Sequence, residues 1–128
     1  MNRFEILGRK LKSSMRTSES YEILTEKYNT WGEGGCRILA RALSPVISGD
    51  IWTAVSDNQP QHYVVHKDDY LFDYLGAQTI NDFRNRYHKE EGLLVAFAPY
   101  EMRCKEIPSN KLIENRLQEY LSRKLKFI

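Results

Sequence analysis

Two β-favouring runs, Gln61 to His66 and Tyr70 to Leu75, flank Lys67-Asp68-Asp69, and this arrangement constrains the fold more than any other stretch of the chain. Runs rich in Tyr, Val and Phe that lie so close together read as a β-hairpin. A two-residue turn at Asp68-Asp69 pairs Lys67 with Tyr70 and, counting outward, sets Val64 opposite Asp73. Side chains alternate between the faces of a strand, so His62, Val64 and His66 then share one side with Leu71, Asp73 and Leu75. Asp73 becomes a diagonal neighbour of both histidines, within reach of either ring. A three-residue turn would send Asp73 to the other face, so the constellation depends on the turn.

The rest of the chain supplies helices and further strands. Phe4, Ile6, Leu7 and Leu11 mark one helical stripe and Tyr21, Leu24 and Tyr28 a second, with a loop expected from Ser13 to Ser18. The glycine-rich approach Trp31-Gly32-Glu33-Gly34-Gly35 leads to an amphipathic helix opening at Cys36, with Ile38, Leu39, Ala42, Leu43, Val46 and Ile47 on one side. Pro45 is expected to end or bend that helix, because its ring disfavours helical geometry at Ser44. Ile51 to Val55 reads as a strand and Ser56 to Pro60 as a turn, and Gly76 is expected to stop the second hairpin strand. Thr79 with Asp82 resembles a capping box opening a helix that buries Ile80, Phe83 and Tyr87, and Gly92 closes it. Leu93 to Ala98 has the composition of a buried strand, and Leu112, Ile113, Leu117, Leu121 and Leu125 mark a terminal amphipathic helix. This order predicts an α+β fold, a small and mostly antiparallel sheet flanked by helices, in a single domain over residues 1–128.

A chain of 128 residues, 41% hydrophobic and 28% charged, can form one core without disulfide or metal support. Its formal net charge is only +2 with both signs interspersed, so no nucleic acid and no membrane is expected as a partner. The longest apolar run, Leu93 to Ala98, is far short of a membrane span, and Met1-Asn2-Arg3-Phe4-Glu5 lacks a signal-peptide stretch. A cytoplasmic location is the expectation. Two cysteines, Cys36 and Cys104, exclude a disulfide framework and a cysteine metal cage.

Cys36 stands where helix physics activates a thiol. The unpaired amides and the dipole of a helix start favour the thiolate, and the same amides, that of Cys36 above all, can receive an oxyanion. On position alone, a cysteine beside an apolar helix face is usually a core residue. The hairpin adds weight to the chemical reading: a carboxylate at Asp73 would set the tautomer and orientation of a histidine whose other nitrogen takes the proton of Cys36. Spacing alone leaves His62 and His66 both open as that base. As a metal pair they fail, since four residues of strand separate them by roughly 13 Å. No metal and no cofactor is expected. His88, beside Lys89 and Glu90, reads as solvated, and Cys104, between Arg103 and Lys105, as structural or incidental.

The blocks Gly34-Gly35-Cys36-Arg37-Ile38-Leu39-Ala40-Arg41-Ala42-Leu43, Gln59-Pro60-Gln61-His62-Tyr63-Val64-Val65 and Tyr70-Leu71-Phe72-Asp73-Tyr74-Leu75-Gly76 resemble the core of papain-like and transglutaminase-like cysteine enzymes. Those proteins, the arylamine N-acetyltransferases among them, set a nucleophilic Cys at a helix start, a His at a strand start and an Asp on the next strand. Small bacterial and phage proteins of unassigned activity share the Gly-Cys helix, the Pro-x-His strand and the Asp-x-x-Gly end. The resemblance spans about residues 30 to 80 and implies Cys36 as nucleophile, His62 as base and Asp73 as orienter, leaving His66 outside the set. It also implies a papain-like core and a hydrolase or acyltransferase acting on an amide or thioester of a protein, peptide or small amide. Papain-like proteases carry an oxyanion-hole Gln shortly before the Cys, and no Gln precedes Cys36. Asn29 or backbone amides near Gly35 would have to substitute; Trp31 and Glu33 are candidates to line a cleft, although an aromatic before a glycine-rich turn is more often packing. The alternative is a non-catalytic phage or mobile-element protein that binds a host protein through a papain-like scaffold.

Overall fold

The computed structural model describes residues 2–24, 35–99 and 108–126. They form α1 (Arg3–Met15), α2 (Ser18–Leu24), α3 (Cys36–Ile47), β1 (Asp50–Ser56), β2 (Gln59–Lys67), β3 (Tyr70–Asp73), β4 (Gly76–Thr79), α4 (Ile80–Glu91), β5 (Ala96–Pro99) and α5 (Pro108–Leu125). The architecture is α+β, with an antiparallel five-stranded sheet in the order β4-β3-β2-β1-β5. Among the described residues no helix is long and apolar enough to cross a membrane.

The hairpin register follows the sequence count. Lys67 pairs with Tyr70, His66 with Leu71 and Val65 with Phe72. Asp68 takes a φ of 56° at the first turn position, a left-handed conformation that Asp tolerates better than most residues. Asp57 and Asn58 both take positive φ in the tight turn between β1 and β2, matching the twist of the paired strands.

The pleat divides the core in two. Val65 and Phe72 pack with Leu7, Leu11, Ile38, Leu39, Leu43, Ile47, Leu117 and Leu121, so α1, α3 and α5 cover one face. Ala54, Val64 and Leu71 meet Phe83 and Val95 on the other, under α4. Between the helices of the first layer, Arg41 Nε donates to Glu114 Oε1 at 3.1 Å.

Several expectations are corrected. The loop from Ser13 to Ser18 shrinks to a turn at Arg16 and Thr17, because side-chain donors on α2 and α5 take the last carbonyls of α1. Tyr120 Oη donates to the Ser14 carbonyl at 2.7 Å and Ser20 Oγ to that of Met15 at 3.0 Å. Ile6 and Tyr21 are exposed rather than core; Leu7 and Leu11 of the expected stripe are buried, joined by Met15 at the same four-residue spacing. Tyr28 lies outside the described residues. Pro45 sits inside the last turn of α3, which runs on to Ile47 and closes at Ser48 with a φ of 57°. So near the end, a missing amide donor and ring crowding interrupt little.

The second hairpin strand ends at Asp73 rather than running on to Leu75, and Gly76 starts β4, a strand its Gly-Ala-Gln-Thr composition does not announce. β4 forms because β3 offers an unpaired edge and α1 packs on the new strand at close range. A Cβ on Gly8 would come within 2.5 Å of Ala77, and Gly76, at a φ of 100°, would bring its own within 2.7 Å of the Gly8 carbonyl oxygen. The strand expected from Leu93 begins only at Ala96; it is the sheet's edge, and Leu94 is 78% exposed. Leu112 is likewise 66% exposed, lying off the buried stripe of Ile113, Leu117, Tyr120, Leu121 and Leu125.

Candidate active site

Cys36, His62 and Asp73 converge where β3 ends. Gly35 is the N-cap of α3 and provides no side-chain cap, so first-turn amides are left for other partners. One of them, the amide of Arg37, donates to the Cys36 thiol.

A second amide reaches the thiol from the sheet. In an antiparallel ladder every second residue turns its amide toward the same neighbour, and Lys67 and Val65 turn theirs toward β3. Tyr63 is next in that series, but β3 has stopped at Asp73, so no strand lies opposite. Its amide donates to Cys36 instead. The thiol, carried on a helix of one layer, thereby meets a histidine on the opposite face of the sheet.

His62 follows a bulge in β2. Ala54 pairs with His62 and Val55 with Pro60, which leaves Gln61 as the extra residue. The Tyr87 hydroxyl donates to the Gln61 carbonyl at 3.3 Å and anchors that bulge. The His62 ring lies near-parallel to Phe83 at a centroid distance of 6.0 Å, with Tyr87 at 6.4 Å.

Asp73 closes the set. His62 Nε2–H donates to its Oδ2 at 3.1 Å, and Oδ1 accepts the Leu75 amide at 2.9 Å and Gln78 Nε2 at 3.3 Å. Arg86 Nη2 stands 3.5 Å from Oδ2. With Nε2 committed to Asp73, Nδ1 is the ring nitrogen left for the thiol. Of the two histidines diagonal to Asp73, only His62 meets it; the His66 ring stacks on Trp52 at 3.8 Å.

All three groups are buried, Cys36 at 9%, His62 at 5% and Asp73 at 2% exposure. Burial alone would push the thiol up, but its hydrogen bond and charge interaction with His62 and the two amides bring it below its ordinary value. Burial likewise opposes charge on His62, yet the hydrogen bonds to Asp73 and Cys36 raise it to about 9. Thiolate and imidazolium therefore stabilise each other across this contact.

Asn29, Trp31, Glu33 and Cys104 lie outside the described residues, whereas Gly35 is buried at the helix start. His88 is exposed on α4. Sequence reasoning missed Arg86 and Gln78 as partners of Asp73 and Tyr87 as the anchor of the bulge. A signal for Arg86 existed: it lies one turn beyond Phe83, so its stem runs along the buried stripe of α4.

The described residues thus define an α+β protein with a buried Cys–His–Asp chain at the broken end of an antiparallel sheet. Set against protein-family models, curated proteins and solved structures, the chain matches none.

Proposed function

We propose that the protein is a cysteine-dependent hydrolase or acyltransferase with a papain-like core, acting on an amide or thioester bond of a protein, peptide or small amide. The observation that carries this reading is the His62 ring held between the Asp73 carboxylate and the Cys36 thiol. The order of the elements supports it: nucleophile at a helix start, base on β2, orienter at the end of β3.

In this mechanism the Cys36 thiolate attacks the carbonyl carbon, an S–C bond forms, and the carbonyl π pair moves to oxygen. The backbone amide of Cys36, at the positive end of α3, is a donor suited to that oxyanion. As the intermediate collapses, the bond to the leaving nitrogen or sulfur breaks and the imidazolium of His62 supplies its proton. A thioester on Cys36 remains. Neutral His62 then takes a proton from water or an amine, which attacks the thioester carbonyl and releases thiolate and product. Asp73 keeps Nε2–H in place throughout and stabilises the imidazolium.

Intact-mass analysis after exposure to a small activated ester tests the reading. One acyl group is expected on wild-type protein, mapped to Cys36, and none on that residue's substitute in Cys36→Ala. Alkylation of Cys36 no faster than a free thiol between roughly pH 5 and 8, or acylation undiminished in Cys36→Ala, overturns it.

A further inference from the structure

Arg86 is the one arginine among the described residues whose guanidinium pairs with Asp73. Its side chain is 22% exposed, lies over the Phe83 ring at 5.3 Å, and stands 3.5 Å from the same carboxylate oxygen that His62 uses. Its Nε is buried without a hydrogen-bond partner. A guanidinium held with one donor unmet is held by something else, and Asp73 is the anion in reach.

The charge count of the site gives the pairing a purpose. Thiolate, imidazolium and carboxylate together carry a net charge of about −1, and a net charge in a buried cluster is penalised. The guanidinium brings the cluster to neutrality. We infer that Arg86 is a positioning residue of this site, balancing the charge of the Cys36, His62 and Asp73 set and holding the Asp73 carboxylate against the His62 ring. The inference rests on the reading of Cys36 as an ionised nucleophile.

Removing a cation raises the proton affinity of every group that feels it. The thiol of Cys36 on α3 and the imidazole of His62 on β2 therefore both titrate at higher pH without Arg86. The other ionisable neighbours among the described residues are Glu90, Glu91 and Tyr87 on α4, Tyr74 in the turn after β3 and Tyr21 on α2. The Tyr74 and Tyr87 phenols lie above their ordinary value, through burial first and nearby negative charge second, and remain neutral where the thiol ionises.

The test follows iodoacetamide alkylation of Cys36 against pH by peptide mass mapping, and the His62 ring by NMR, in the full chain. Wild type is compared with Arg86→Gln, Arg86→Met and Arg86→Lys, each checked for folding by circular dichroism. In the neutral variants both titrations are expected to move up by about one pH unit, a roughly tenfold loss of alkylation rate below the midpoint. Arg86→Lys is expected to keep most of the wild-type profile. Either folded neutral variant overlaying wild type overturns the inference, and so does Arg86→Lys shifting as far as they do; a loss of amplitude without a shift marks a structural role only and also overturns it. If one neutral variant does not fold, the other decides; Met retains the apolar stem over Phe83. Slow alkylation of wild-type Cys36 would instead bring down the proposed function and this inference together.

Discussion

His62 and Asp73, eleven positions apart in the chain, meet through Nε2 and Oδ2 at 3.1 Å across the open end of the β2–β3 hairpin. That contact commits one ring nitrogen and leaves Nδ1 for Cys36. The carboxylate is itself held by the Leu75 amide, Gln78 and Arg86, so the ring has a fixed partner rather than a mobile one.

Asp73→Asn removes the anion that stabilises the imidazolium. Losing an opposite charge at this range is worth about one to three pKa units, so alkylation of Cys36 near neutral pH is expected to slow roughly tenfold or more. Breaking a buried pair also costs stability, about 3 kcal/mol by chemical denaturation. Unchanged reactivity in a folded Asp73→Asn protein would remove Asp73 from the site.

The site also shapes stability against pH. The raised His62 contributes stability that is fully present below 6.5 and lost as pH rises through about 9. The lowered Cys36 contributes with the opposite sign: its share is present above 9.0 and lost as pH falls through its lowered value. Where the two windows overlap, below about 9, the slopes oppose, so the wild-type melting temperature should vary less with pH there than the histidine alone would make it. Cys36→Ala removes the thiol's share together with the part of the His62 rise that Cys36 causes; the part due to Asp73 remains, so this variant should lose stability as pH rises above 6.5. Parallel curves for the two proteins would show that thiolate and imidazolium are not paired.

Phe83 is fully buried, with the His62 ring at 6.0 Å and the Phe97 ring at 5.6 Å. Phe83→Ala is expected to cost about 3–5 kcal/mol in denaturant unfolding, the range for emptying an aromatic core position. A loss under about 1 kcal/mol would mean that α4 does not pack on the sheet at Phe83.

Gly8→Ala tests the fold away from the chemistry. The new methyl would lie 2.5 Å from Ala77, so α1 and β4 must separate, at about 1–3 kcal/mol. Cys36 reactivity should persist in the folded fraction. An Ala variant as stable as wild type would contradict the close approach of α1 to β4.

The pieces legible in the sequence were those whose cause is local. Asp68-Asp69 set the hairpin register, Thr79 caps α4 by accepting the Asp82 amide at 3.1 Å, and Gly92 closes that helix at a φ of 69°. Asp73 on the histidine face followed from turn length and alternation. Ile6, Leu94 and Leu112 misled because an apolar side chain says it can be buried, not that a partner layer exists where it points. β4 was hidden because pairing with β3 and packing under α1 outweigh its weak strand composition.

By itself, then, the sequence determined the helix start at Cys36, the hairpin, and the placing of His62 and Asp73 on one face, since each depends on residues close together in the chain. Only the tertiary structure decided which histidine Asp73 takes, that β3 ends where the Tyr63 amide can meet the thiol, and that Arg86 stands beside the carboxylate. Those relations depend on strand twist, strand length and layer packing, which are set by contacts between elements and are written in no local pattern.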